Sequence, residues 1–198
     1  RQVRPPEAGI RYRAFVDMSG GSADDAVLAI GSVRDGKAVV DLVAKQSGRP
    51  PFNPRSAVKR FAGILKEYGL SRVTGDAYAG QTFRADFQAE GITYEVCSKS
   101  ASTLYEDLEP KLNAGEVELL DHPVVQDQLL TLVMKGAKIT HQSGAHDDHA
   151  NAVAGVIDLL SSRKQPMKIS QAALEQLSRP TPAAARDHAM RRIISRGY

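Results

Sequence analysis

Three short apolar runs open the chain, at residues 12–17, 26–33 and 38–44, each of strand rather than helix length. Gly20-Gly21 interrupts the first connection, and Asp35-Gly36 marks the second as a tight hairpin turn. Strands joined this way pair antiparallel, so the pattern predicts a three-strand meander. The period then changes. Pro54 opens a helix in its first turn, Val58, Phe61, Ala62 and Leu65 recur at helical spacing, and Gly69 closes it. Short strands and helices alternate from there: a strand at 72–75, a helix at 80–90, a strand at 92–96, a helix from Ser100 to Asn113 and a strand at 117–120. A helix at 123–135 follows, with Val124, Leu129, Leu132 and Val133 as core candidates. A Gly-containing loop at 136–145 then leads to a helix from Asp147 to Ser162. Hairpin strands first and alternating units afterwards imply an α/β chain, with a mixed central sheet and helices on both faces.

Composition narrows the class. A hydrophobic fraction of 42% and a charged fraction of 25% over 198 residues fit one globular domain and an appendage. The single cysteine, Cys97, excludes an internal disulfide and a Cys-rich zinc site. No apolar run approaches the ~20 residues of a membrane helix, so no membrane partner is expected. No signal-peptide pattern opens the chain. It begins with Arg rather than Met, which reads as a fragment or processed product of something longer. The net charge of +3 hides an asymmetry: residues 1–13 carry +3, residues 163–198 carry +6, and 14–162 carry −6. The chain thus divides into a basic lead (1–11), a globular domain (12–162) and a basic tail (163–198). Basic ends around an acidic body suit a polyanion held over a cation site, and suit an ordinary solvated tail equally well.

Three acidic positions bear on chemistry. Asp17 ends the first strand and Asp76 ends the fourth. If those strands run parallel as neighbours, both carboxylates emerge at one sheet edge, where ligands of open α/β sheets bind. Like charges gathered there repel, and a cation between them resolves the repulsion. Oxygen-only ligands select hard ions such as Mg²⁺ or Mn²⁺. The third position is the pair Asp147-Asp148 at the start of the last helix. Asp147 is in phase with Ala150, Ala154 and Ile157 and is expected to face the sheet. Asp148 shares its stripe with Asn151, Ala152 and Gly155, expected toward a groove. Both remain candidates, against a bland alternative in which they only cap the helix. The small residues Ala150, Ala152, Ala154 and Gly155 argue for close packing on the sheet, which carries the acids toward Asp17 and Asp76. His146 and His149 either assist proton transfer or are plain surface residues, and the surface reading is preferred. Asn151 either braces the acids or is simply exposed.

Three stretches together resemble the nuclease domain of the phage terminase large subunit, the DNA-packaging motor. They are Phe15-Val16-Asp17 with Gly20-Gly21 and Asp24-Asp25, Val73-Thr74-Gly75-Asp76-Ala77-Tyr78-Ala79-Gly80, and His146-Asp147-Asp148-His149-Ala150-Asn151-Ala152. The resemblance covers roughly residues 12–162. It implies a ribonuclease-H-like fold that cuts double-stranded DNA with two divalent ions, Mg²⁺ or Mn²⁺, leaving 5′-phosphate and 3′-hydroxyl ends. It also implies Asp17, Asp76 and Asp147 or Asp148 as catalytic metal ligands, with Asp24 or Asp25 in the place of a further acidic residue. In the full protein it implies an N-terminal packaging ATPase, a small terminase subunit and a portal or procapsid as partners, in the host-cell cytoplasm. This chain has no Gly-x-x-x-x-Gly-Lys-Ser/Thr phosphate loop and so is not expected to translocate DNA alone. Candidate phosphate contacts are Arg34, Lys37 and Lys45 on the hairpin and Arg84 and Lys99 near the Asp76 edge. The competing readings are another ribonuclease-H-like DNA enzyme, such as a junction resolvase, and a non-catalytic DNA-docking module of a packaging motor.

Overall fold

The computed structural model describes residues 3–18, 25–47 and 53–161. Asp24, Gly20-Gly21 and the basic tail lie outside these residues. The chain order is β1 (Tyr12–Asp17), β2 (Ala26–Arg34), β3 (Lys37–Gln46), α1 (Pro54–Glu67), β4 (Arg72–Gly75), α2 (Ala77–Ala89), β5 (Thr93–Val96), α3 (Ala101–Asn113), β6 (Val117–Glu118), α4 (Pro123–Leu130), β7 (Val133–Lys135), β8 (Lys138–Thr140) and α5 (Asp148–Ser161). Six strands form one sheet in the order β5-β4-β1-β2-β3-β6. The pairs β1–β2 and β2–β3 are antiparallel, and β4 and β5 join β1 in parallel. The expected mixed sheet with its opening meander is therefore present.

Alternation along the strands builds two cores. Tyr12, Ala14 and Val16 of β1 and Ala26, Leu28 and Ile30 of β2 face α1 and α2. Phe15, Val27 and Ala29 face the opposite layer, made by α3, α4 and α5. With both faces covered, the central strands read as continuous apolar runs. Helix α5 comes unusually close to the sheet. A Cβ at Gly155 would lie 2.4 Å from the ring of Phe15, and one at Gly31 of β2 would lie 2.9 Å from Leu160 Cδ1. Both glycines are needed for contact rather than for backbone freedom.

One bulge interrupts the meander. Ile30 pairs with Leu42 but Gly31 pairs with Val40, so Asp41 is the extra residue of β3. Its side chain is fully buried and paired with Arg34 at 3.2 Å. Burial pushes its carboxyl up, against the opposing pull of Ser32, Arg34 and Arg4. The lead is bound here too: Arg4 N donates to Asp41 O (2.8 Å), Tyr68 Oη donates to Arg4 O (2.6 Å), and Glu7 pairs with Arg34 (2.9 Å).

The expected helix at 123–135 is corrected. Helix α4 stops at Leu130, where the Thr131 hydroxyl donates to Asp127 O at 2.8 Å. A β7–β8 hairpin follows, turning through Gly136 at φ 64°. Residues 138–140 are accordingly strand rather than loop. β-Branched Thr131, Val133, Ile139 and Thr140 favour this outcome over a longer helix. Among the expected core positions, Val124 is 40% exposed and its neighbour Val125 is buried instead. Helix α2 begins at Ala77, three residues earlier than expected, because Asp76 caps it.

Gly155→Ala tests the close seat of α5. Alanine gains up to about 1 kcal/mol of helix propensity. Overpacking a rigid buried ring costs about 1–3 kcal/mol. A net loss of stability is expected in urea unfolding; a stabilised variant would show that α5 does not rest on Phe15.

Candidate active site

Period-two alternation puts Asp17 on the same face of β1 as Phe15, the face that receives α5. Gly155 sits on Phe15, and one turn toward the start of α5 lies Asn151. Asn151 Nδ2 donates to Asp17 Oδ2 at 2.7 Å. One further turn back is Asp148. From the other side, β4 runs parallel to β1 with Phe15 opposite Thr74 and Val16 opposite Gly75, so Asp17 and Asp76 leave the sheet side by side. Gly75 has no room for a side chain: a Cβ there would lie 2.6 Å from Val16 O and 2.2 Å from Tyr94 Oη. That space lets Tyr94 Oη donate to Asp76 O at 2.9 Å. Asp76 Oδ1 accepts from Ala79 N at 2.6 Å, so it does cap α2.

The start of α5 corrects the helical phase. The sheet-facing stripe is the one with Asp148, Asn151 and Gly155, because the side chain missing at Gly155 and the reach of Asn151 both serve contact with β1. The stripe of Ala150, Ala154 and Ile157 is the one expected there; the helix instead turns Asn151 and Gly155 to β1 and sets Val156 and Leu160 over Gly31 of β2. Asp147, just before the helix, accepts a hydrogen bond from Tyr105 Oη of α3 at 3.0 Å, and His141 Nε2 lies 3.9 Å from its other oxygen. Asp148 Oδ2 accepts from Asp25 N at 3.2 Å. The first-turn N–H groups of His149 and Ala150 both donate to Gln128 Oε1, at 2.9 and 3.0 Å. A neutral amide from α4 therefore does the capping that the bland reading assigned to the acidic pair.

Electrostatically the cluster is strained in one direction. Burial is the main force raising the Asp17 carboxyl to about 7; the Asn151 hydrogen bond opposes it, and the charges of Asp148, Asp76 and Asp147 add to the rise. Burial, then Asp76 and Asp17, push the Tyr94 hydroxyl up, and burial and Asp147 do the same for Tyr105, so both remain O–H donors. The donor set is all oxygen, which suits a hard divalent ion. Among the described residues, no three His, Cys, Asp or Glu side chains form a ready-made metal cage.

The basic candidates divide. Lys45 lies at the carboxylate end, across from Val27, and pairs with Asp25 at 3.2 Å. Arg84 is exposed on α2, and its charge acts on Tyr94. Lys99 is held at 2.7 Å by both Asp107 and Asp158, ten residues or ~15 Å along α5 from Asp148. Arg34 and Lys37 are not brought to the site. Asp17 pairs with Val27, seven residues along β2 from Arg34 at the hairpin tip, so the tip lies at the far edge, ~23 Å away. His149 is also corrected: it is 1% exposed, not a surface residue, and burial lowers its pKa to about 4, keeping it neutral. Its ring stands 5.5 Å from that of His122, and beside it a cleft of about 420 Å³ reaches Asp25, Lys45, His146 and Asp148. Sequence reasoning assigns no site role to Gln128, Tyr94 or Tyr105. Gln128 carries a signal, as a polar residue on the buried stripe of α4 with Val125; the tyrosines lie in stretches, 91–95 and 104–105, that also resemble the terminase spacing elements.

The raised Asp17 carboxyl gives a testable sign. Its folded pKa exceeds its unfolded value of 3.8, so its contribution to stability is full below 3.8 and is lost as pH rises through about 7. In EDTA, Asp17→Asn is expected to melt higher than wild type at pH 8, by several degrees, with the gap narrowing toward pH 5. Thermal melts across that range measure it; parallel curves would show that Asp17 is an ordinary surface carboxylate.

No protein-family model matches the sequence, and no curated protein matches it significantly. Solved structures do. The large terminase nuclease from thermophilic phage G20c aligns with a TM-score of 0.67 at 18% identity, over 79% of this chain and 85% of that one. The large terminase nuclease domain of Thermus phage P74-26 aligns with a TM-score of 0.67 at 18% identity, over 82% and 86%. The large terminase of bacteriophage HK97 aligns with a TM-score of 0.62 at 17% identity, over 79% of this chain but 41% of that longer one. The G20c nuclease has also been crystallised with bound magnesium, cobalt and zinc. At these identities the likeness establishes architecture: the chain has the ribonuclease-H-like fold of the large-terminase nuclease domains.

Proposed function

We propose that the chain is a divalent-metal-dependent endonuclease that cuts double-stranded DNA during viral genome packaging. The observation that carries this reading is the gathering of Asp17, Asp76, Asp147 and Asp148 around one sheet edge, with Asp17 driven up by burial and by its acidic neighbours. The metal-bound G20c nuclease structures of the same fold support it. Asp17, Asp76 and Asp148 are the proposed ligands of Mg²⁺ or Mn²⁺, two ions per site, with Asp25 beside them. Asp147, tied to Tyr105, is the proposed brace of the helix start. Bound divalent ions supply Lewis acidity and an activated water for in-line displacement at phosphorus. The chain's own residues hold that chemistry in place. Gln128 fixes the start of α5, Tyr94 fixes the backbone at Asp76, and Lys45 sets positive charge at the rim for a phosphate. A packaging ATPase, a small terminase subunit and a portal are the proposed partners, and the host-cell cytoplasm the proposed place of action. No helix among the described residues is long and apolar enough to cross a membrane.

Purified chain is expected to nick and linearise plasmid DNA with Mg²⁺ or Mn²⁺ and to stop in EDTA. Asp17→Asn and Asp76→Asn should fall to background while keeping the circular-dichroism spectrum of the fold. Cutting that persists in EDTA, or wild-type rates in either folded variant, would sink the metal mechanism. A second outcome concerns DNA binding. Contact through phosphates predicts that affinity falls on the order of a hundredfold between about 50 and 200 mM salt, with little dependence on sequence. Filter binding at several salt concentrations reads this, and a flat response would point to recognition of something other than the DNA backbone.

A further inference from the structure

Several observations meet at Asn151. Its Nδ2 bonds to Asp17 Oδ2 at 2.7 Å, at the short end for such a bond. The residue is only 8% exposed. Its Oδ1 is buried and has no hydrogen-bond partner among the described residues. It stands one turn from Asp148 on one side and from Gly155 on the other, where the helix touches Phe15.

Asparagine is a poor choice here for the fold alone. It is a weak helix former, and half of its amide is buried without a partner, which costs stability. Its neighbours Ala150, Ala152, Val153 and Ala154 are all buried and apolar, so an apolar side chain would pack at lower cost. What the amide supplies is one N–H directed at one oxygen of Asp17. A lysine in its place would neutralise the site, and an aspartate would add repulsion. A neutral donor alone orients the carboxylate and leaves the negative charge of the cluster available.

Resting on the reading of Asp17 as a cation ligand, we propose that Asn151 is a positioning residue: it pins Asp17 by Oδ2 so that the other carboxylate oxygen is presented to the divalent ion. The seat of Gly155 on Phe15 sets the height from which Asn151 reaches. Its contribution therefore passes through Asp17 and should disappear when Asp17 cannot bind a cation as a carboxylate.

Mn²⁺ titration of the full chain, followed by the electron paramagnetic resonance signal of free Mn²⁺, tests this with four proteins: wild type, Asn151→Leu, Asp17→Asn and the double variant. Asn151→Leu is expected to weaken Mn²⁺ binding about tenfold or more in the wild-type background. In the Asp17→Asn background it should cost nothing further. Asn151→Ala serves the same cycle if leucine overpacks the helix. Wild-type affinity in a folded Asn151 variant, or an equal loss in both backgrounds, overturns the positioning role while leaving Asp17 as a ligand. If wild type and Asp17→Asn take up Mn²⁺ alike, the ligand reading itself fails and this proposal falls with it.

Discussion

The contact between Gly155 and the ring of Phe15 sets where everything else at the carboxylate edge can stand. A helix that presents a side chain to a sheet rides on that side chain. Here α5 has none at the point of contact, and the ring fills the space a Cβ would take. Helix and strand repeats then do the rest: two residues along β1 lead from Phe15 to Asp17, and one turn back along α5 leads from Gly155 to Asn151. The two steps span similar lengths, so the amide meets the carboxylate. The parallel register of β4 on β1 adds Asp76 from the opposite side. The acidic cluster is thus a product of backbone proximity at two glycines, Gly155 and Gly75, which admit Phe15 and Tyr94.

Such a cluster is costly in the fold's own terms. Burial and three acidic neighbours lift Asp17 to about 7, against the single hydrogen bond from Asn151. The opposite edge of the same sheet shows how the chain treats a buried acid when charge is not needed. There Asp41, carried inward by a bulge, is met by Arg34, while Arg4 and Ser32 also lower its carboxyl. The two carboxylates differ: Asp41 is fully buried and met by guanidinium groups, whereas Asp17 accepts from the Asn151 amide and stands among acidic neighbours. Removing one partner of the Arg34–Asp41 pair would strand a buried charge, so that network holds the lead segment and the hairpin tip as a unit.

Much of this was legible along the chain. The meander, the alternating units, the strand-end aspartates and the small-residue helix follow from period, turn chemistry and residue size, which are local properties. Local reasoning failed where two outcomes had similar local cost. Residues 131–135 continue a helical apolar pattern, but Thr131 and Val133 fit a strand as well, and pairing with residues 138–140 decided for the hairpin. Arg34, Lys37 and Lys45 share one hairpin in the sequence, but a ten-residue strand carries Lys45 to the opposite end from the other two.

The phase of α5 is the instructive case. The sequence by itself determined that this helix has one aliphatic face and one small face, and that an acidic pair begins it. Which face meets the sheet, and hence whether Asp147 or Asp148 stands over Asp17, was decided by tertiary packing. Val156 and Leu160 still reach the sheet at Gly31, but the close approach to Phe15 is made at Gly155, on the small face. A hydrophobic stripe records that a surface is buried; it does not record against what. The orphaned amide of Asn151, the Gln128 cap and the neutral His149 likewise exist only once α4, α5 and β1 are in contact, because each is defined by an atom from a distant part of the chain.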